Sequence, residues 1–138
     1  MKTNGYVALL SACIFSCVAF PANATNRMQA GQWESTLTMQ GHNSTSSTCV
    51  SQSDADGMNG DEKSMRAISE KKFAAEHCKV TDIKVNGNQV KVTGACDGTH
   101  YVATTDYHGD SFVANTVYHG DGYSIDSTIR SKRIGACK

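Results

Sequence analysis

The sequence predicts a mainly β fold, an antiparallel meander of hairpins that curves into a sandwich or a partly closed barrel, with one short α-helix near residues 64–77. Three observations support this prediction. Several segments alternate between apolar and polar residues, the period of a half-buried strand. Turn sequences such as Asn-Gly and His-Gly-Asp separate these segments. A four-residue motif also recurs after 11 residues, a spacing typical of successive strand-and-turn units.

The first predicted hairpin spans residues 32–50. Residues 32–40 alternate, and one face of that strand carries Trp33, Leu37 and Met39. The segment 41–43 is suited to a turn, because it begins with glycine, and 45–50 then forms the returning strand.

A loop and a helix are predicted to follow the first hairpin. Residues 51–62 are rich in Asp, Gly, Ser and Asn, which predicts a loop. Residues 64–77 place Met65, Ile68 and Phe73 among lysines and glutamates. This loosely amphipathic pattern predicts the short helix.

The segment 79–93 gives the clearest hairpin signal. The apolar pairs Ile83/Val85 and Val90/Val92 flank an Asn-Gly turn. Cys78 and Cys96 lie nine residues either side of Gly87, so a full-length ladder brings them close. The strict register of a two-residue turn offsets these cysteines by one position. We therefore expect a bulge near residues 80–82, which realigns them.

The repeated motif indicates two further turns. Tyr-His-Gly-Asp occurs at 107–110 and again at 118–121. Segments 112–117 and 123–129 are the strands between and after the copies, and 123–129 alternates cleanly. Because one strand joins the copies, the two turns are expected at opposite ends of the sheet, roughly 25 Å apart.

The composition excludes several classes of protein. The chain has 138 residues and no net charge, so one domain fits and a generic basic nucleic-acid binder is disfavoured. Only 19% of residues are charged, which argues against a coiled coil or a charged disordered tail.

The N-terminus has the pattern of a secretory signal peptide. Lys2 precedes a short apolar run over residues 7–20, and Ala22-Asn23-Ala24 follows. The domain prediction is a cleaved signal at 1–24 and a single disulfide-stapled β domain at 25–138, in the periplasm. Two alternatives stay open: a lipoprotein anchored at Cys13, and an uncleaved anchor.

Four cysteines remain in the expected mature chain: Cys49, Cys78, Cys96 and Cys137. An even number in an exported chain indicates disulfides. Residues 25–138 contain only 16 Leu, Ile, Val and Phe residues, a thin core that cross-links would support. If Cys78 pairs with Cys96, Cys49 pairs with Cys137. The wide spacing of the cysteines disfavours a zinc site.

The ends of the expected mature chain carry a family resemblance. Gly31-Gln32-Trp33-Glu34, the four cysteines, and Arg133-Ile134-Gly135-Ala136-Cys137 together resemble a bacterial family of small exported proteins, domain-of-unknown-function family 3617. The resemblance implies export in Gram-negative bacteria and an antiparallel β domain. It implies no activity, and the matching residues are interpreted as structural.

The candidate metal sites are weak. His108 with Asp110 and His119 with Asp121 carry metal-ligating groups, but their expected separation disfavours a shared site. The stretch 54–62 is similar to a calcium loop, but three key positions do not fit an EF-hand. Met58, Asn59 and Met65 occupy the places of an oxygen ligand, the glycine and the final glutamate. No metal and no cofactor are therefore expected.

The sequence also offers no catalytic constellation. No Gly-x-Ser-x-Gly elbow is present, so we expect a protein that is not an enzyme. The basic end, with Arg130, Lys132, Arg133 and Lys138, is interpreted as a solvated strand edge rather than a surface for lipopolysaccharide.

The favoured function is a non-enzymatic binding or interaction module in the periplasm, acting as a monomer on an envelope component or a small ligand. One alternative is a carrier in which the sheet encloses a small apolar ligand. The candidate ligand-lining residues are Trp33, Met39, Phe112 and Tyr123. Another alternative is an inhibitor of an envelope hydrolase.

Overall fold

A computed structural model describes residues 26–138. The expected signal peptide at 1–24 and the alternative lipid-anchor residue Cys13 lie outside the described residues. The elements in chain order are β1 (Gly31–Met39), β2 (His42–Val50), α1 (Gln52–Asn59), α2 (Glu62–Phe73), a 3-10 turn (Ala74–Glu76), β3 (Cys78–Asn86), β4 (Gln89–Cys96), β5 (Thr99–Tyr107), β6 (Ser111–Gly120) and β7 (Tyr123–Gly135).

Within residues 26–138, seven antiparallel strands form one sheet in the order β2-β1-β7-β6-β5-β4-β3. The predicted mainly β antiparallel class is therefore confirmed. Two arrangements of the strands were expected, a sandwich or a partly closed barrel. The described residues form one sheet, which is not closed. The two helices join the opposite edge strands β2 and β3 by crossing one face of the sheet. They cover the apolar side chains that a second sheet would otherwise bury.

The predicted bulge in the second hairpin is confirmed. The β3–β4 register shifts between Val80 and Asp82, and this shift places Cys78 opposite Cys96. The first hairpin turns one residue earlier than predicted, through Gln40 and Gly41. Both have positive φ, 51° and 79°, which matches the twist of the flanking strands.

The prediction of a loop at 51–62 is wrong, because α1 occupies most of it. The Ser51 hydroxyl accepts a hydrogen bond from the Asp54 backbone N–H at 3.1 Å, and Ala55 is fully buried. The Ser-x-x-Asp spacing is the helix-start signature that identifies this helix in the sequence. The predicted helix at 64–77 corresponds to α2 and the 3-10 turn, which begin two residues earlier.

The inner face, defined as the side of the sheet that the helices cover, holds two apolar clusters. One surrounds Met65 of α2 and lies over β3, β4 and β5. The other contains Trp33 together with Ala55 of α1. Because each helix contributes only one or two fully buried side chains, the core is thin, as the composition indicates.

Two disulfides staple the sheet. Cys78–Cys96 joins facing residues of β3 and β4. Cys49–Cys137 joins the edge strand β2 to the tail after β7, across a sequence separation of 88. These are the two pairs that the hairpin geometry favoured. The second links the first hairpin covalently to the end of the chain.

A buried arginine fastens the segment before β1. Arg27 is 3% exposed, and its guanidinium donates to the carbonyl oxygens of Gly87, Met58 and Gly60 at 2.7–2.9 Å. These carbonyls belong to the β3–β4 turn and to the end of α1. Burial lowers the pKa of Arg27. One side chain therefore ties three separate parts of the chain together.

Candidate functional site

The candidate functional site is a cleft of about 250 Å³ between the inner face of the sheet and the end of α2. It is open to solvent on one side. Its lining comes from the end of α2, the 3-10 turn and the strands beneath them. The lining residues are Phe73, Glu76, Cys78, Cys96, Tyr101, Ala103, Thr105, Ala114, Thr116, Tyr118 and Ile129.

The cleft exists because small side chains face one another in the middle of the sheet. Ala103 lies opposite Thr116, and Thr105 lies opposite Ala114, so four small side chains form one block on β5 and β6. Large aromatic pairs bound this block. Tyr101 faces Tyr118 at one end, and Tyr107 faces Phe112 at the other. The hollow therefore arises because the four side chains of the block are smaller than the aromatic side chains at its two ends.

Three aromatic rings form one wall of the cleft. The ring centroids of Phe73 and Tyr101 are 5.8 Å apart, and those of Tyr101 and Tyr118 are 6.4 Å apart. Both pairs are tilted, which is a favourable arrangement for aromatic quadrupoles. Glu76, in the turn above these rings, is the one lining residue that carries a charge at neutral pH.

The Tyr101 hydroxyl is buried without a hydrogen-bond partner. The residue is 4% exposed, and its hydroxyl lies against Gly94, the facing residue on β4. A methyl group at position 94 would collide with this hydroxyl and with the Lys79 carbonyl oxygen. Burial raises the pKa of Tyr101, and nearby Tyr118 and Glu76 raise it further. Glu76 therefore lies close enough to act electrostatically on the aromatic wall.

We expect the Tyr101→Phe variant to be more stable than the unchanged protein by about 1 kcal/mol, because it removes a buried hydroxyl that has no partner. The measurement is the free energy of unfolding in urea. Tyr107→Phe is the matched control, because Tyr107 is as buried as Tyr101, 5% against 4% exposed, but its hydroxyl is not a buried group without a partner. Removal of the Tyr107 hydroxyl is expected to bring no gain in stability. A loss of stability in Tyr101→Phe would contradict this reading.

The structure does not bring the four predicted lining residues together at this cleft, and none of them lines it. Trp33 is 2% exposed and packs on Phe112, with ring centroids 5.7 Å apart. Met39 is 38% exposed near the β1–β2 turn. Tyr123 is 47% exposed, and its ring covers Gly120. These side chains serve the core and the sheet surface, because register places them outside the hollow.

None of the eleven residues that line the cleft is predicted as lining from the sequence. Four of them form the aromatic wall and its charge: Phe73, Glu76, Tyr101 and Tyr118. The sequence contains a signal for two of these four, Tyr101 and Tyr118. The motif copies at 107–110 and 118–121 set the β5–β6 register, and this register pairs Tyr101 with Tyr118. The other two depend on how α2 packs over the sheet, which the sequence pattern alone does not define.

The repeated motif does not form a joint metal site. His108 lies in the β5–β6 turn, while His119 lies near the other end of β6 and faces His100 on β5. Within residues 26–138, no three His, Cys, Asp or Glu side chains lie close enough to hold a metal ion. The segment 54–62 is mostly helical rather than a calcium loop.

The basic end is divided between the two faces of the sheet. Arg130 is exposed, whereas Arg133 is partly buried and donates to the Ala30 carbonyl oxygen at 2.8 Å. The solvated-edge interpretation is therefore wrong for Arg133. The strand β7 is also internal, since it pairs with both β1 and β6.

The terminal motifs meet at one place in the fold. Gly31 opens β1 with φ of +141°, and any side chain there would collide with Arg133 and with the Gly135 carbonyl oxygen. Trp33 follows, and its indole N–H donates to the Gln29 carbonyl oxygen at 2.9 Å. The two terminal motifs of the family resemblance thus lie together where the first strand pairs with the last.

Among residues 26–138, no helix is long and apolar enough to cross a membrane. The sequence pattern of a family described as "Protein of unknown function (DUF3617)" matches residues 28–137. No curated protein and no solved structure matches the chain.

Proposed function

The chain belongs to the DUF3617 family, and we propose that it is a non-enzymatic module that binds a small, largely apolar ligand in the cleft of the inner face. The observation that carries this proposal is the block of four small side chains between two aromatic pairs. A tightly packed core would fill this space, because interiors tolerate few voids. Here the hollow stays open to solvent beneath α2.

The chemistry of the lining supports a ligand that is mainly apolar. Aromatic rings and methyl groups supply contact area, and the hydroxyl groups of Thr105 and Thr116 supply hydrogen bonds. The volume of about 250 Å³ exceeds the roughly 150 Å³ that accommodates benzene. A ligand containing one ring or a short alkyl chain fits this space.

We further propose that the protein works in the periplasm after export. Two disulfides fasten a domain with a thin core, and such bridges persist in oxidising compartments. The N-terminal signal pattern supports the same location.

We expect benzyl alcohol to bind the cleft with a Kd on the order of 1 mM, as suits a ligand of eight heavy atoms. The measurement is an amide NMR titration of the isotope-labelled, disulfide-bonded protein. Shifts that saturate and centre on residues 73–76, 101–105 and 114–118 are the expected result.

Paired substitutions test whether those shifts come from the cleft. Ala103→Phe places a ring in the hollow and should abolish the response. Ala95→Phe adds the same ring on the opposite face of the sheet and should preserve the response. Ala95 follows Gly94, which lies opposite Tyr101 of the cleft, and neighbouring residues of a strand point to opposite faces. A similar response in both variants, from folded proteins with well-dispersed spectra, would place binding elsewhere and contradict the proposal.

A further inference from the structure

We infer that the cleft selects organic cations: its ligand is an ammonium ion on a small apolar stem. This inference rests on the proposed function, since it names the class of ligand for the same cleft. The juxtaposition that carries it is the acidic residue Glu76, which lines the cleft together with the aromatic wall of Phe73, Tyr101 and Tyr118.

The aromatic wall favours a cation through its electrostatics. The faces of aromatic rings carry partial negative charge and attract ammonium groups within about 6 Å of the ring centroid. The three rings lie side by side, at centroid distances of 5.8 and 6.4 Å. A cation at this end of the cleft is therefore attracted by more than one ring.

Glu76 adds a full negative charge that has no counterion among the described residues. The one salt bridge there joins Arg66 to Glu70. No lysine, arginine or histidine lines the cleft. A cationic ligand would supply the missing partner, whereas an anionic ligand would be repelled.

Glu76 lies near the C-terminal end of a helix. It follows α2 directly, in the 3-10 turn at the carboxyl end of the helix. The carbonyl groups at a helix C-terminus carry partial negative charge, and they usually attract lysine or arginine. Lys71 and Lys72 lie in the last turn of α2, but neither lines the cleft. Glu76 is therefore the charged residue that borders the aromatic wall, and it favours a positively charged ligand.

The test compares three ligands with the same ring: benzylammonium, benzyl alcohol and benzoate. In amide NMR titrations of the disulfide-bonded protein at low salt, we expect benzylammonium to bind about five- to tenfold more tightly than benzyl alcohol. Benzoate is expected to bind more weakly than both. Salt at 0.5 M should reduce the preference for benzylammonium, because it screens exposed charges.

The Glu76→Gln variant should lose most of this preference and keep its affinity for benzyl alcohol. Glu34→Gln, at an exposed site on the opposite face of the sheet, is the matched control and should keep the preference. Equal affinity for benzylammonium and benzyl alcohol in the unchanged protein would overturn the inference but leave the proposed function standing. No response to any of the three ligands would overturn both.

Discussion

Replacing Cys49 and Cys137 together by alanine is expected to lower the free energy of unfolding by about 4–5 kcal/mol. The bridge closes a loop across 88 residues, and a long loop restricts the unfolded chain more than a short one does. It also fixes the edge strand β2 to the tail that follows β7. Since the core is thin, this loss is large relative to a total stability of about 5–15 kcal/mol.

Urea denaturation of the unreduced proteins measures this loss. The matched control is the Cys78→Ala/Cys96→Ala double variant, whose bridge spans a sequence separation of 18 and whose loss should be nearer 3 kcal/mol. The account requires the Cys49/Cys137 variant to be the less stable of the two. The reverse order would show that the long-range bridge does not hold the sheet as described.

Replacing Arg27 by alanine is expected to destabilise the protein by about 3–5 kcal/mol. Hydrogen bonds to charged groups contribute roughly 1.5–3 kcal/mol each, and Arg27 donates three to backbone carbonyls. Its loss leaves those carbonyls without their partner and frees the segment before β1. The segment would then be held by the two bonds between the Met28 backbone and the Asn59 side chain, at 2.9 and 2.8 Å, and by the backbone bond from Gly109 to the residue 27 carbonyl oxygen.

The control for this variant is Arg130→Ala, because Arg130 is exposed on β7 and its removal should change stability by less than about 0.5 kcal/mol. Arg27→Lys should fall between wild type and Arg27→Ala, since an ammonium group lacks the guanidinium fork that reaches separate carbonyls. Thermal and urea unfolding give the ranking. Equal stability of Arg27→Ala and Arg130→Ala would refute the fastening role.

Much of the sheet was predictable from local pattern. Alternating residues and Asn-Gly turn chemistry placed the hairpins, because strand period and turn type depend on neighbouring residues. Even the bulge near residues 80–82 followed from the conflict between the turn register and the facing cysteines. The pairing of β1 with β7 was indicated only indirectly, through the position of Cys137.

The helices were harder to predict, and the site was missed with them. The sequence of α1 is mostly polar, with Ala55 its one buried residue, so it gives almost no amphipathic signal. Its cap at Ser51 was the available cue. Without α1 and α2 on the inner face, the apolar residues of the sheet suggested a second sheet or a barrel. Large apolar side chains such as Trp33 and Phe112 then look like the lining, whereas register places them outside the cleft.

The central claim is that the cleft on the inner face holds a small molecule, and native mass spectrometry of the unreduced protein from its own cells tests it most directly. The account predicts additional mass that leaves on denaturation, is absent from the Ala103→Phe variant and persists in Ala95→Phe. A spectrum showing only the bare polypeptide, or the same additional mass in Ala103→Phe, would contradict it.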